Sequence, residues 1–194
     1  MSRLGALFGL TPSAVRVDGA RVHLRQPERA DWPEWAELRG ESRAFLKPWE
    51  PSWAHDALTR AAFRRRLARY AADWRDGEAY NFFVCRNEDG KLAGGIGLSQ
   101  VRRGVAETGS VGYWIGERYA RRGYMTEAVA LLTGFAFGEL GLRRLEAACL
   151  PTNIPSRKLL EHVGFRQEGY AREYLCIDGA WQDHLLFGLL SDRR

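Results

Sequence analysis

Hydrophobic and polar positions alternate in part from Val15 to Arg25, through Val15, Val17, Val22 and Leu24, which predicts a first strand. Asp31 as N-cap, with Pro33 inside the first turn, predicts a helix running to about Phe45. The stretch Phe45–Trp53 is aromatic and broken by Pro48 and Pro51, so it reads as a loop. Thr59 can cap a second helix from Arg60 to about Arg75, with Phe63, Leu67 and Tyr70 at helical spacing. The run Arg64–Arg66 falls mainly on the solvated face of that helix.

Tyr80–Arg86 and Leu92–Val101 read as strands joined through Asp89-Gly90, a hairpin signal, and Thr108–Gly116 as a third strand of the meander. A helix is expected from about Thr126 to Leu140, ended by Gly141, then a strand over Leu142–Leu150. Asn153–Val163 reads as a short helix ended by Gly164. Asp178-Gly179 joins two last strands, Glu173–Ile177 and Trp181–Leu190. The order is β-α-α-β-β-β-α-β-α-β-β, a mixed α+β sheet in one domain.

Composition narrows the class. The chain has 194 residues, 45% hydrophobic and 27% charged, which suits one soluble domain with a real core and excludes wholesale disorder. No apolar run approaches the roughly 18–20 residues of a membrane helix, so no membrane partner is expected. Cys85, Cys149 and Cys176 are too scattered for a disulfide framework, and the four histidines lack zinc spacing, so no metal is expected. Arg3 followed by Leu4–Leu10 outlines a minimal signal peptide without a cleavage pattern. The expectation is an N-terminal extension over residues 1–14, a domain over 15–194 and a cytoplasmic protein.

Twenty-nine basic against 24 acidic residues give a net charge of +5. Two readings stand: a compositional bias shared with Ala and Gly, or an acidic partner such as nucleic acid, a phosphorylated cofactor or the ribosome surface. The spread of arginines along the whole chain favours the first, and nucleic-acid contact is not predicted.

Candidate chemistry concentrates in two segments. From Gly112 to Ala128 a strand runs through Arg121-Arg122-Gly123 straight into a helix, whose unpaired N–H groups and dipole can make an anion site, although taken alone the same run also reads as a plain loop. It is neither a Walker loop nor a dinucleotide fingerprint. The second segment, Pro151–Phe165, contains Asn153, Ser156 and the run Leu159-Leu160-Glu161-His162-Val163-Gly164-Phe165. Together the two segments resemble the GNAT superfamily of acetyl-CoA-dependent N-acyltransferases. RRGYMTEA, LRRLEA, NxxSxxLLExxGF and the EYL-to-WQDH hairpin are similar, more narrowly, to the Rim branch of ribosomal-protein-alanine N-acetyltransferases (RimJ/RimL type).

The resemblance implies a GNAT fold: a mixed, mostly antiparallel sheet of about seven strands, splayed at the fourth and fifth and flanked by about four helices. It implies acetyl-CoA as co-substrate, with the diphosphate on the main chain of Arg121, Arg122, Gly123, Tyr124, Met125 and Thr126. Ala120 and Met125 depart from the family pattern, but both changes touch side chains, whereas the cradle is backbone. Tyr113, Trp114 and Ile115 would pair with the pantetheine arm, one main-chain N–H holding the thioester oxygen. Asn153 would contact that arm near the thioester, act as a plain N-cap, or do both.

Many relatives carry a tyrosine before the glutamate of ExxGF as the acid for the leaving thiolate. Here Leu160 stands there, and the resemblance gives the role to Ser156, whose other reading is a small helix residue chosen for packing. Glu173 matches a Rim-type base, or is a strand-face carboxylate paired with Arg172. The loop and final hairpin imply an acceptor groove with Trp49 and Trp53 clamping a peptide and Glu50 facing a basic tail; alternatively the tryptophans cap the core. His184 and Asp183 fall on opposite strand faces, so His184 reads as structural.

The expected reaction is direct attack of an amine on the thioester, most simply the N-terminal α-amine of a protein, such as a ribosomal protein. An α-amine with a pKa near 8 is roughly a tenth neutral at pH 7, whereas a lysine near 10.4 is almost wholly protonated. Rival readings are a small-amine acetyltransferase (polyamine, amino acid or aminoglycoside) and a basic ribosome- or RNA-binding module with a vestigial cofactor site. The chain is expected as a monomer or homodimer.

Overall fold

The computed structural model describes residues 15–192. The expected extension over 1–14, with its apolar run, lies outside the described residues.

One open sheet of eight strands carries the fold: β1 (Arg16–Asp18), β2 (Val22–Arg25), β3 (Tyr80–Arg86), β4 (Leu92–Arg102), β5 (Thr108–Ile115), β6 (Arg144–Cys149), β7 (Arg166–Ile177) and β8 (Ala180–Leu190). They lie in the order β1-β2-β3-β4-β5-β6-β8-β7. Every neighbouring pair is antiparallel except β5 and β6. Five α-helices accompany them: α1 (Trp32–Glu41), α2 (Arg43–Leu46), α3 (Arg60–Asp76), α4 (Tyr124–Gly138) and α5 (Ile154–Val163).

The mixed α+β sheet is as expected, with two corrections of count. The segment read as one first strand is a hairpin, because Asp18-Gly19 turns the chain: Gly19 N–H donates to the Val22 carbonyl at 2.9 Å and Arg16 pairs with Arg25. The first helix stops at Glu41, not Phe45. Ser42 is buried there, and its Oγ accepts the Glu117 N–H at 2.9 Å, tying the break to the start of the active-site turn.

Asp31 stands at the N-cap of α1 without capping it. Its carboxylate instead takes the Glu28 N–H and a bidentate pair with Arg25. Thr59 does cap α3, accepting from Ala62 N–H at 3.2 Å.

Strand β3 shows why the sheet needs two covering layers. Phe82 and Val84 join a core with Ala128, Leu132 and Phe135 of α4, while Phe83 and Cys85 join Trp35 of α1 and Phe63 of α3. A strand buried on both faces reads as a continuous apolar run, as Phe82–Cys85 does. Each large side chain so buried contributes about 1.5–3 kcal/mol.

Candidate active site

The chain leaves β5, makes one 3-10 turn over Glu117–Tyr119, and enters α4 through two left-handed residues, Arg121 (φ 60°) and Gly123 (φ 77°). The consequence is a bare helix start. Among the described residues, the N–H groups of Arg121 to Thr126 have no hydrogen-bond acceptor; the first bond made is from Glu127 N–H to the Gly123 carbonyl, 3.1 Å. Six consecutive unpaired donors at the positive end of a 15-residue helix form an anion cradle.

Arg21, from the β1–β2 turn, supports the cradle from behind. Its Nη1 donates to the Arg122 carbonyl at 3.0 Å, while its Nε and backbone N–H both reach the Glu127 carboxylate. Burial alone would raise the Glu127 pKa; the N–H groups of Arg21 and Val22 and the Arg21 guanidinium outweigh it and hold the carboxyl below its ordinary value. Sequence reasoning missed Arg21, because nothing local to it marks a partner 106 positions away.

Beside the cradle the sheet splits. Strands β5 and β6 pair only over Thr108–Ser110 and Arg144–Glu146, so Val111–Ile115 present an unpaired strand edge towards β6. Such an edge accepts an extended, amide-bearing ligand as an added strand. The split opens into a cavity of about 1680 Å3. Arg121, Gly123, Tyr124 and Thr126 line one end, Tyr113, Ile115, Cys149, Asn153 and Ser156 the middle, and Phe45, Trp49, Leu175 and Trp181 the other end. Met125 lines it too, though largely buried, whereas Arg122 is exposed outside the lining.

Two hydroxyls meet in the middle. Asn153 caps α5, its Oδ1 accepting the Ser156 N–H at 3.1 Å, and this places Ser156 Oγ 2.8 Å from the Tyr113 hydroxyl. Burial pushes the Tyr113 phenol up to about 12 against the opposing effect of the Ser156 hydrogen bond, so it remains a neutral donor at working pH. Leu160 is buried in the core. The phenol beside Ser156 comes from the strand, at Tyr113. Burial also raises the Cys149 thiol despite a hydrogen bond from Ser156, which keeps it protonated and a poor nucleophile.

The acceptor end is arranged differently from the peptide clamp that sequence suggested. Trp49 lines the large cavity, but Trp53 lines a separate, smaller one. Glu50 is engaged: both carboxylate oxygens take Arg39 at 2.7 Å, and one also accepts from Trp53 Nε1 at 2.8 Å. The Arg39 guanidinium lies between the Trp53 and Trp114 rings, 4.3 and 4.7 Å from their centroids. Glu173 sits at a bulge of β7 with φ 46°, exposed and outside the cavity lining, its N–H bound to Asp183 at 2.8 Å. His184 is buried, lines the cavity and has Nδ1 2.9 Å from the Gln182 carbonyl, which fixes the proton on Nδ1.

No group of three or more His, Cys, Asp or Glu among the described residues could hold a metal ion. No helix among them is long and apolar enough to cross a membrane.

A bare helix start beside a split sheet can be set against known families. Residues 21–166 match the model of the acetyltransferase (GNAT) domain. The chain belongs to the GNAT family. It is an N-acetyltransferase with the GNAT fold, of the Rim type. It is 35% identical over 173 residues to the probable N-acetyltransferase YjcK of Bacillus subtilis, covering 89% of this chain and 96% of that one. The [ribosomal protein uS5]-alanine N-acetyltransferase of Escherichia coli is 32% identical over 177 residues, 91% of each chain. Among solved structures, Mycobacterium smegmatis RimJ in complex with CoA-disulfide superposes with a TM-score of 0.87 at 30% identity, covering 94% of this chain and 91% of that one.

Proposed function

We propose that this GNAT enzyme transfers acetyl from acetyl-CoA to the N-terminal α-amine of a protein, a ribosomal protein being the acceptor class suggested by the relatives. The observation that carries the co-substrate is the run of unpaired N–H groups at Arg121–Thr126 next to the open edge of β5. A diphosphate fits the first, and the amides of a pantetheine arm fit the second. Acetyl-CoA supplies an activated thioester carbonyl.

This chain's residues then do three things. A main-chain N–H of Tyr113–Ile115 holds the thioester oxygen as charge develops on it. The Tyr113–Ser156 pair donates to the sulfur as it departs. A phenol near 12 is too weak an acid to surrender its proton outright to a thiolate of ordinary pKa about 8.5, and a serine hydroxyl is weaker still. Both hydroxyls therefore stabilise the developing charge by hydrogen bonding, with Tyr113 also orienting Ser156. The proton lost by the attacking amine leaves through water to Glu173, the departing thiolate takes a proton from water, and the products are the N-acetyl amide and the free thiol.

Attack is direct. Cys149, the cysteine beside Ser156, is held as a thiol by burial and so offers no activated nucleophile for an acyl-enzyme. Mass spectrometry of a proteome's N-terminal peptides after incubation with enzyme and acetyl-CoA tests the reading: acetyl should appear on α-amines and not on lysine side chains.

A further inference from the structure

Glu50, Pro51, Gly112, Tyr113 and Trp114 line the large cavity on one side and a second cavity, of about 720 Å3, on the other. The second lies on the face of the sheet that α1 and α3 cover. Within this shared lining Gly112 has no side chain and nothing within 4 Å of where a Cβ would stand, so it leaves open space between them. A chain whose first residue occupies the large cavity can therefore continue over Gly112 into the smaller one.

The charges of this groove do not balance. Its two carboxylates are both engaged, Glu50 by Arg39 at 2.7 Å and Asp56 by Arg65 at 2.6 Å. Arg66 and Arg69 on α3 also line it, and neither has a carboxylate partner among the described residues. Aromatic faces hold both: Arg66 lies 5.2 Å from the centroid of Trp35, and Arg69 lies 5.7 Å from that of Tyr70. Arg66, expected on the solvated face, is half-buried over the groove.

Spacing adds to charge. Side chains three apart on a helix stand about 5–6 Å apart at Cβ. Alternate residues of an extended chain lie about 6.6 Å apart on one side. An extended peptide can thus offer two carboxylates, two residues apart, to Arg66 and Arg69.

We propose that this groove binds the extended segment following the acetylated residue, and that Arg66 and Arg69 select acidic side chains in it. This rests on the reading of a protein N-terminus as acceptor. The test uses the full chain and three hexapeptides, labelled at the C-terminus, that differ only in Glu, Gln or Lys at positions three and five. Acetyl transfer gives KM and kcat, and fluorescence anisotropy with CoA present gives binding.

The Glu peptide should have a KM roughly five- to tenfold below the Gln peptide, and further below the Lys peptide. The double variant Arg66→Gln, Arg69→Gln should lose the preference with kcat unchanged, and Arg66→Lys, Arg69→Lys should keep it. Equal KM values in the parent enzyme, or a preference that survives the Gln variant, overturn the proposal. Charge-selective binding without acetylation leaves the groove standing and removes the α-amine reading; acetylation without charge preference does the reverse. Neither binding nor acetylation of any peptide removes both. A single-stranded RNA oligonucleotide that occupies the groove while all three peptides compete equally poorly assigns the site to nucleic acid instead.

Discussion

The hydroxyls of Tyr113 and Ser156 lie 2.8 Å apart, one from the strand edge left unpaired where the sheet splits and one from the first turn of α5. Each side chain is placed by a different element, and the Asn153 cap fixes the second. Ser156→Ala should lower kcat roughly ten- to a hundredfold with a much smaller change in the KM for acetyl-CoA. Tyr113→Phe should give a smaller loss of kcat, since it leaves the Ser156 hydroxyl in place to donate to the departing sulfur. Steady-state kinetics of both variants decide it; a Ser156→Ala enzyme with unchanged kcat reduces that serine to packing.

Gly123 is the left-handed residue on which the cradle turns. Gly123→Val forces a β-branched side chain to φ 77°, with its Cβ 2.8 Å from Arg21 Nη2. Titration calorimetry should show CoA affinity falling tenfold or more, about 1.4 kcal/mol. Unchanged affinity in a folded variant would remove the cradle from the account.

Glu127 links the first hairpin to the cradle, and its pKa has a consequence for acid stability. A carboxyl whose folded pKa lies below its unfolded value stabilises the fold above the ordinary glutamate value of 4.5, and loses that contribution as pH falls through the folded pKa. Glu127→Gln should therefore lower the melting temperature near pH 7, and the gap to the parent protein should narrow as pH drops below about 4.5. A gap independent of pH would mean that the charge on Glu127 contributes nothing.

The hairpin that Glu127 holds shows what the sequence made legible and what it did not. Asp89-Gly90 and Asp178-Gly179 identify hairpins because apolar strands flank them. Asp18-Gly19 carries the same signal, but β1 has only three residues, of which Arg16 and Asp18 face solvent, so periodicity alone fuses it with β2. Strand β7 starts at Arg166, seven residues before the expected Glu173, because this edge strand is largely exposed and interrupted by register shifts. The anion cradle was legible since it is built from consecutive main-chain groups. Arg21 behind it, the Tyr113 phenol beside Ser156, and the engagement of Glu50 by Arg39 are contacts between distant segments, which no local spacing encodes.

Arg39 and Glu50 form a largely buried pair, with side-chain exposures of 10% and 19%. Glu50→Gln leaves the guanidinium with a neutral partner between two tryptophans. Stability should fall by about 2–4 kcal/mol, read as a lowered denaturation midpoint. If Glu50 served a basic acceptor tail instead, the variant would keep its stability and lose activity only towards basic peptides.

Glu173→Gln should lower the rate at pH 7, and raising the pH towards 9 should restore much of it as the α-amine deprotonates unaided. A pH–rate profile superimposable on that of the parent enzyme would assign the proton to water alone.

The most direct test of the account is the position of the acetyl group on an acceptor peptide that offers one α-amine and one lysine. After incubation with enzyme and acetyl-CoA at pH 7, fragmentation mass spectrometry should place the acetyl on the α-amine, with the lysine unmodified. Acetyl on the lysine side chain, or none on the peptide while polyamines or amino acids are acetylated, would contradict the assignment of a protein N-terminus as the acceptor.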